Sequence, residues 1–326
     1  MTAPSAAAAA SRIGIVLGDP NGIGPEIAIR AACAVGADAA GPRPVLIGDA
    51  HIIEACCAGL NLPHDARRRF DIEDVPALPP AAWQPGQVDA RAGAATVAYV
   101  RAAVRLCQAG QLAAIAAGPH SETAVNAAGI AFSGYSGLIA ELTATPRDKT
   151  FLMLEACGLR IVHATLHERL VDAVARLTPQ LVVAAANAAH ATVRRLGIAR
   201  PRACILGVNP HAGENGLFGD DDERIGRPAA ALLREAGIAA DGPIGADLAL
   251  AERKHDFYVA MFHDQGHIAV KMLSPKGATA LVAGAPVLFA SVGHGAAFDI
   301  AGQGRADATA LTATVTMLAQ AAARPA

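Results

Sequence analysis

Aromatic side chains are scarce in this chain, with one Trp, three Tyr and eight Phe among 326 residues. A core short of large rings has to fill with small and branched aliphatics, as when alanine-rich helices pack closely on a sheet. That accounts for a hydrophobic fraction of 53% without invoking a membrane. No stretch of 18 or more strongly apolar residues occurs, so no spanning helix and no membrane partner are expected. An excess of one charge is also missing, with 27 basic against 29 acidic residues. This excludes the electrostatic footprint of a nucleic-acid binder. The six cysteines (33, 56, 57, 107, 157, 204) form no CxxC pair and no paired framework. They read as reduced, buried small hydrophobes of a cytoplasmic protein. The first twelve residues, MTAPSAAAAASR, have an alanine run with no basic region ahead of it, and read as a disordered tail. A dinucleotide fingerprint is lacking too. Gly22-Ile23-Gly24-Pro25-Glu26 has no third glycine at the required spacing and is explained by a tight turn into a helix.

What is present is an alternation of short apolar runs with longer alanine- and leucine-rich segments. Strands are expected at Ile13–Leu17, Pro44–Ile47, Ala113–Ala116, Ala203–Val208, Phe257–Phe262 and within Leu281–Phe289. Phe151–Leu154 and Arg160–Thr165 should form a hairpin through Ala156-Cys157-Gly158. Helical spacing marks Pro25–Val35, Thr96–Gln108, Pro179–Leu196, Arg227–Glu235 and Thr309–Ala322. The pattern implies an α/β fold with a largely parallel sheet covered on both faces. The length calls for one large or two closely packed domains.

In such folds, functional groups gather at the carboxyl ends of strands. Five polar stretches follow expected strands: 18–22, 118–120, His167, 209–211 and 263–266. His167, His211 and His263 stand out among 11 histidines, because three imidazoles with open positions make a catalytic metal site. Three distant segments give no spacing motif, and each His also reads as surface or core filler. His163 is a minor candidate ligand, and His267 a ligand-orienting or substrate-contacting group. Ser291–Asp307 carries four glycines that allow backbone to approach a cofactor. There His294 can stack or hydrogen bond, beside Gly293, Gly295 and Gly302, while Asp299 and Asp307 can meet ribose hydroxyls.

The HGAAFDIAGQGRAD stretch resembles the cofactor loop of isopropylmalate and isocitrate dehydrogenases, which bind NAD or NADP without a Rossmann fingerprint. Over nearly its whole length the chain resembles the 4-hydroxythreonine-4-phosphate dehydrogenase family. The marks are Gly18–Glu26, Gly118-Pro119, Asn209–Glu214 (NPHAGE), His263–Gly266 (HDQG) and Ser291–Asp307. The resemblance implies a two-domain α/β/α sandwich, with residues 1–133 plus 276–326 as cofactor-loop domain and 134–275 as metal and dimerisation domain. It further implies NAD, a divalent metal on His167, His211 and His263, and an active site in the inter-domain cleft. The homodimer it implies has that site at the subunit boundary. Imidazole donors suit zinc, iron or cobalt. Lys271 matches a substrate-contacting lysine, and otherwise reads as a surface lysine. Asp247 and Asp264 match site positions that orient a ligand or relay a proton, with a helix-capping role as the alternative.

The chain departs from the phosphate-handling members. Their GPVHK is Gly118-Pro119-His120-Ser121-Glu122 here, their GHT is Gly134-Tyr135-Ser136, and an expected asparagine and arginine near Ala280 and Phe289 are absent. Losing cations and gaining a carboxylate disfavours a phosphate dianion. The same segments resemble the terephthalate cis-dihydrodiol dehydrogenase branch, which implies a small-molecule dicarboxylate diol as substrate. His120, Tyr135 and Ser136 are then candidates for its second carboxylate. The alternatives are a four-carbon acid-phosphate dehydrogenase and a non-catalytic ligand-binding protein of the same fold.

Overall fold

The computed structural model describes residues 12–275 and 277–323. The tail expected at the start lies outside them, except for Arg12. The described strands are β1 (Arg12–Val16), β2 (Arg43–Gly48), β3 (Asp71–Asp74), β4 (Ala114–Ala117), β5 (Phe151–Ala156), β6 (Leu159–His163), β7 (Ala203–Leu206), β8 (Ala240–Ile244), β9 (Phe257–Ala260), β10 (Thr279–Ala283) and β11 (Phe289–Val292). The chain separates into two compact units. One runs to Ala144 and resumes at Pro286, and the other is Thr145–Ala285.

In the first unit the strand order is β3-β2-β1-β4-β11, every pair parallel. Ile13, Ile15, Leu46, Ile47 and Ile115 are buried, as expected for parallel strands covered on both faces. The helices Gly24–Val35, Ala90–Gln108 and Thr309–Ala322 bury alanine-rich sides. In the second unit the order is β10-β5-β6-β9-β7-β8. Here β10, β5 and β6 pair antiparallel, and the remaining pairs are parallel.

The expected hairpin is present as β5 and β6. Its turn is Cys157-Gly158, both with positive φ (49° and 80°), the sign that suits the twist of a two-residue hairpin loop. Leu281–Phe289 holds parts of two strands rather than one strand. β3 and β8 were not expected, because DIED and ADGPI lack an apolar run. The division between units falls at 144/145 and 285/286, not at 133/134 and 275/276. The helix Tyr135–Leu142 stays with the first unit because the Tyr135 ring packs on Phe289 at 5.2 Å and its hydroxyl donates to the Gly118 carbonyl. β10 stays with the second because it is laddered to β5.

Candidate active site

Three neighbouring parallel strands of the second unit, β6, β9 and β7, lead into the segments that carry the histidines. Their ends are cross-linked by polar side chains. Thr165 Oγ1 donates to the Met261 carbonyl at 2.7 Å, tying the segment after β6 to that after β9. The Gln265 amide accepts from Met261 N and donates to Gly207 O, each at 2.7 Å, which ties the segment after β9 to that after β7. Buried Asp222 accepts from the amides of Val208 and Asn209 and fixes the start of the NPHAGE loop. Thr165, Gln265 and Asp222 were not singled out from the sequence, since a satisfied polar staple has no spacing signature.

The HDQGH stretch was expected as a strand-end loop. It instead begins a helix, His263–Leu273. His263 and His267 therefore lie one turn apart on one face, and Lys271, exposed, one turn further. The His263 and His267 rings stack with centroids 3.6 Å apart and planes at 11°, and the His167 ring is 5.5 Å from His263. Asp264 Oδ1 lies 2.7 Å from His263 Nδ1. A carboxylate oxygen at that distance accepts the Nδ1 hydrogen, so the neutral imidazole would carry its lone pair on Nε2, the arrangement that orients an imidazole towards a metal. Behind them His163, 2% exposed, contacts His267 at 3.1 Å. Burial and the neighbouring imidazoles push His163 down to about 3 and His267 to about 4, which leaves both neutral at pH 7. A cavity of about 400 Å³ opens here, lined among others by Leu166, His167, Leu170, Phe262, His263 and Asp264.

His211 is placed differently. It lies on Pro210–Gly216, where His211 to Asn215 all have left-handed φ, and its ring is 6.3 Å from Phe218. Four of these five are not glycine, and such backbone is costly and tends to persist at functional loops. Asp247, in the first turn of Ala246–Glu252, is its neighbour through Gly245. A methyl group on that glycine would sit 3.0 Å from Asp247 Oδ1 and 3.7 Å from His211 Cα. Thus the structure brings His167 and His263 together and leaves His211 with Asp247. Among the described residues no group of three His, Cys, Asp or Glu side chains is gathered in a metal-holding arrangement. The donor chemistry of His167 and carboxylate-oriented His263 nevertheless suits a divalent ion.

The first unit carries the other expected residues. His120 packs edge-on against Tyr135 (4.4 Å) and Phe132 (4.9 Å), and burial lowers it to about 4. Among the described residues, the charged group within ion-pair reach of His120 is the Glu122 carboxylate, at 3.9 Å. Tyr135 is buried and its hydroxyl is occupied by the Gly118 carbonyl at 2.9 Å, while Ser136 follows it in the helix. Asn21 proves to be a staple. Its side chain holds Gln84 N and Gln87 O, and Trp83 Nε1 donates to the Pro20 carbonyl. Asp19 is fully buried, accepts from Asn21 N through Oδ1, and leaves Oδ2 without a partner. Burial raises it from 3.8 to about 6.

Gly293, His294 and Gly295 follow β11, and Gly302 has φ of 76°. The Ile23 amide donates to the Ala296 carbonyl at 2.9 Å, and Arg30 Nη2 to Gly304 O at 2.8 Å, so the two glycine-rich segments of this unit are joined. His294 Nδ1 lies 3.1 Å from Gly295 O, and Asp299 is exposed. Asp307 Oδ1 accepts from both the amide and hydroxyl of Thr309, a turn that starts the last helix.

Residues 40–318 match the model of a family described as "Pyridoxal phosphate biosynthetic protein PdxA". The chain belongs to the PdxA family. It is 47% identical over 313 residues to a 1,2-dihydroxy-3,5-cyclohexadiene-1,4-dicarboxylate dehydrogenase of Comamonas sp, covering 94% of this chain and 96% of that one. A solved terephthalate 1,2-cis-dihydrodiol dehydrogenase from Burkholderia xenovorans LB400 is 46% identical, with a TM-score of 0.72 over 95% of this chain and 98% of that one. A 4-hydroxythreonine-4-phosphate dehydrogenase from Klebsiella pneumoniae is 34% identical, with a TM-score of 0.85 over 96% and 98%. All three relatives are dehydrogenases. Among the described residues no helix is long and apolar enough to cross a membrane.

Proposed function

We propose that this chain catalyses the NAD-linked, metal-dependent oxidative decarboxylation of terephthalate 1,2-cis-dihydrodiol (1,2-dihydroxy-3,5-cyclohexadiene-1,4-dicarboxylate) to protocatechuate. The observation that carries this reading is the environment of His120. It is neutral, walled by Phe132 and Tyr135, and the Glu122 carboxylate is the charge beside it. A phosphate dianion is held by Arg, Lys and backbone donors, and a carboxylate at this point opposes it. The carboxylated diene edge of such a ring suits an aromatic wall. The 47% identity to the dihydroxycyclohexadiene dicarboxylate dehydrogenase points the same way.

His167, His263 and His211 would hold the divalent metal, and the segment from Gly293 to Asp307 would hold NAD. Once bound, NAD would accept a hydride from the secondary carbinol carbon, and the metal would lend Lewis acidity to the vicinal oxygens. The chain's own groups bind substrate and handle protons. Lys271, exposed on the His263 helix face, grips a carboxylate, and Asp264 keeps His263 oriented. In this reading Asp247, which neighbours His211 through Gly245, relays the alcohol proton. Oxidation leaves a ketone β to a carboxylate, carbon dioxide departs, and the ring becomes aromatic. For the dicarboxylate dianion the products are the protocatechuate monoanion, carbon dioxide and NADH, with no net proton released.

A homodimer goes with this reading. Leu170, Val171, Leu217, Phe218, Ile268 and Met272 are exposed apolar side chains of the second unit, a surface that a second copy would cover. Light scattering on the purified protein tests it, and a monomer at micromolar concentration speaks against it. The substrate is tested by supplying the dihydrodiol or 4-hydroxythreonine 4-phosphate with NAD, and following NADH and protocatechuate. Turnover of the phosphorylated compound alone would sink the proposal.

A further inference from the structure

His163 and His267 are not needed as ligands in the reading above, yet the helix His263–Leu273 is built to hold them together. Gly266 is the contact point, where a methyl group would stand 2.4 Å from His163 Nε2 and 2.8 Å from Ile161 Cγ2. Any side chain there would lift the helix off the buried ring. Three hydrogen bonds then fix where the imidazole hydrogens lie. His163 Nδ1 is 3.3 Å from the Leu152 carbonyl, His163 Nε2 is 3.1 Å from His267 Nδ1, and His267 Nδ1 is also 3.2 Å from the His263 carbonyl. Carbonyl oxygens only accept. The one neutral arrangement that satisfies all three contacts puts a hydrogen on Nδ1 of both rings. His163 Nε2 is then the acceptor for His267. The far edge of the half-buried His267 ring carries Nε2, which has no hydrogen-bond partner among the described residues and is not a buried orphan.

We propose that His163 is a positioning residue that locks His267 as its Nδ1–H tautomer, so that His267 Nε2 offers a lone pair to a hydroxyl of the substrate. The inference rests on the proposed polyhydroxylated acid for its ligand, but not for the tautomer. His267 thereby reads a hydroxyl group, a task that His167 and His263 cannot share while holding a metal. The stacking of His267 on His263 keeps that lone pair beside the expected metal ligands.

The full-length protein labelled with 15N-histidine tests this by two-bond proton–nitrogen correlation of the imidazoles at about pH 8, with His267→Gln assigning the His267 signal. The expected pattern is Nδ1–H for His267, retained in His163→Gln, whose amide oxygen can accept, and shifted partly towards Nε2–H in His163→Leu, where the His263 carbonyl is the acceptor left to Nδ1. A wild-type His267 carrying its hydrogen on Nε2 overturns the proposal. So does a His267 tautomer unchanged in folded His163→Leu. In kinetics, His267→Leu should lose about tenfold more kcat/KM than His267→Gln, the scale of one substrate hydrogen bond. Equal losses overturn the substrate contact. Should the wild-type protein turn over no dihydrodiol, the functional reading fails while the tautomer result stands by itself.

Discussion

The polar rims of the two units are used in opposite ways. In the first, side chains at the expected positions are spent on the backbone: Tyr135 on Gly118, Asn21 on Gln84 and Gln87, Asp307 on Thr309. In the second, His167, His263 and His267 turn their rings to one another, and two of them line a cavity. One rim therefore offers shape and backbone donors, and the other offers lone pairs. On the proposed function a division of labour is expected, in which substitutions of these first-unit staples act through stability and those of the second-unit histidines through chemistry.

The sharpest way to break that contrast is His263→Ala. If His263 holds the proposed metal, losing a ligand worth several kcal/mol should lower kcat/KM about a hundredfold or more, with little change in the unfolding midpoint. Asp264→Asn, which removes only the orienting carboxylate, should cost about 10–100-fold and weaken metal retention in a chelator titration. Activity within a few-fold of wild type for His263→Ala would place the chemistry elsewhere.

The second rim was legible in part. HDQG and NPHAGE drew attention to His263 and His211, but the helical start at His263 was hidden. Phe257–Phe262 reads as a strand, and nothing in HDQGH signals a helix without a side-chain cap. The stacking partner at His267 became visible only once the helix set a four-residue repeat. His163 reads as an interior strand residue, because partnership across 104 residues leaves no local trace. The glycine segments were legible as loops, since Gly18 and Gly302 need positive φ, whereas the fixed use of Tyr135 was not. A tyrosine's sequence context does not reveal which oxygen its hydroxyl meets.

Asp19 sharpens the comparison, because it is a buried titratable group in the rim assigned to shape. Burial raises its folded pKa from 3.8 to about 6, so the folded state holds a proton that the unfolded chain has released. Its contribution is fully present below about pH 4 and is lost as pH rises to about 6, by an amount on the order of 3 kcal/mol. Asp19→Asn should remove that part of the dependence. The difference in unfolding free energy between mutant and wild type should shift in the mutant's favour from pH 4 to pH 6 and level off above. A difference that stays flat across this window would mean that Asp19 is hydrated and ionised.

Gly266→Ala tests whether packing and chemistry are as separable in the second unit. The added methyl meets buried His163 and Ile161, so a loss of about 1–3 kcal/mol in denaturant unfolding is expected. Unlike His263→Ala, it should also perturb the His267 tautomer spectrum. An unchanged midpoint would show that the helix can shift at no cost, and with it that the His163 contact is loose.

The smallest expected effect separates the two rims most directly. Tyr135 was a candidate for gripping a carboxylate, yet its ring is buried and its hydroxyl donates to Gly118. A hydroxyl can give one hydrogen, and this one is already given. Tyr135→Phe keeps the ring contacts with His120 and Phe289 and deletes only that bond, for about 1 kcal/mol of stability. KM for the dihydrodiol should then stay within about threefold of wild type, since no substrate contact is lost. A rise in KM of about tenfold at unchanged kcat would show that the hydroxyl leaves Gly118 for the substrate. Tyr135 would then belong with the groups that read the ligand, and the first rim would do more than shape it.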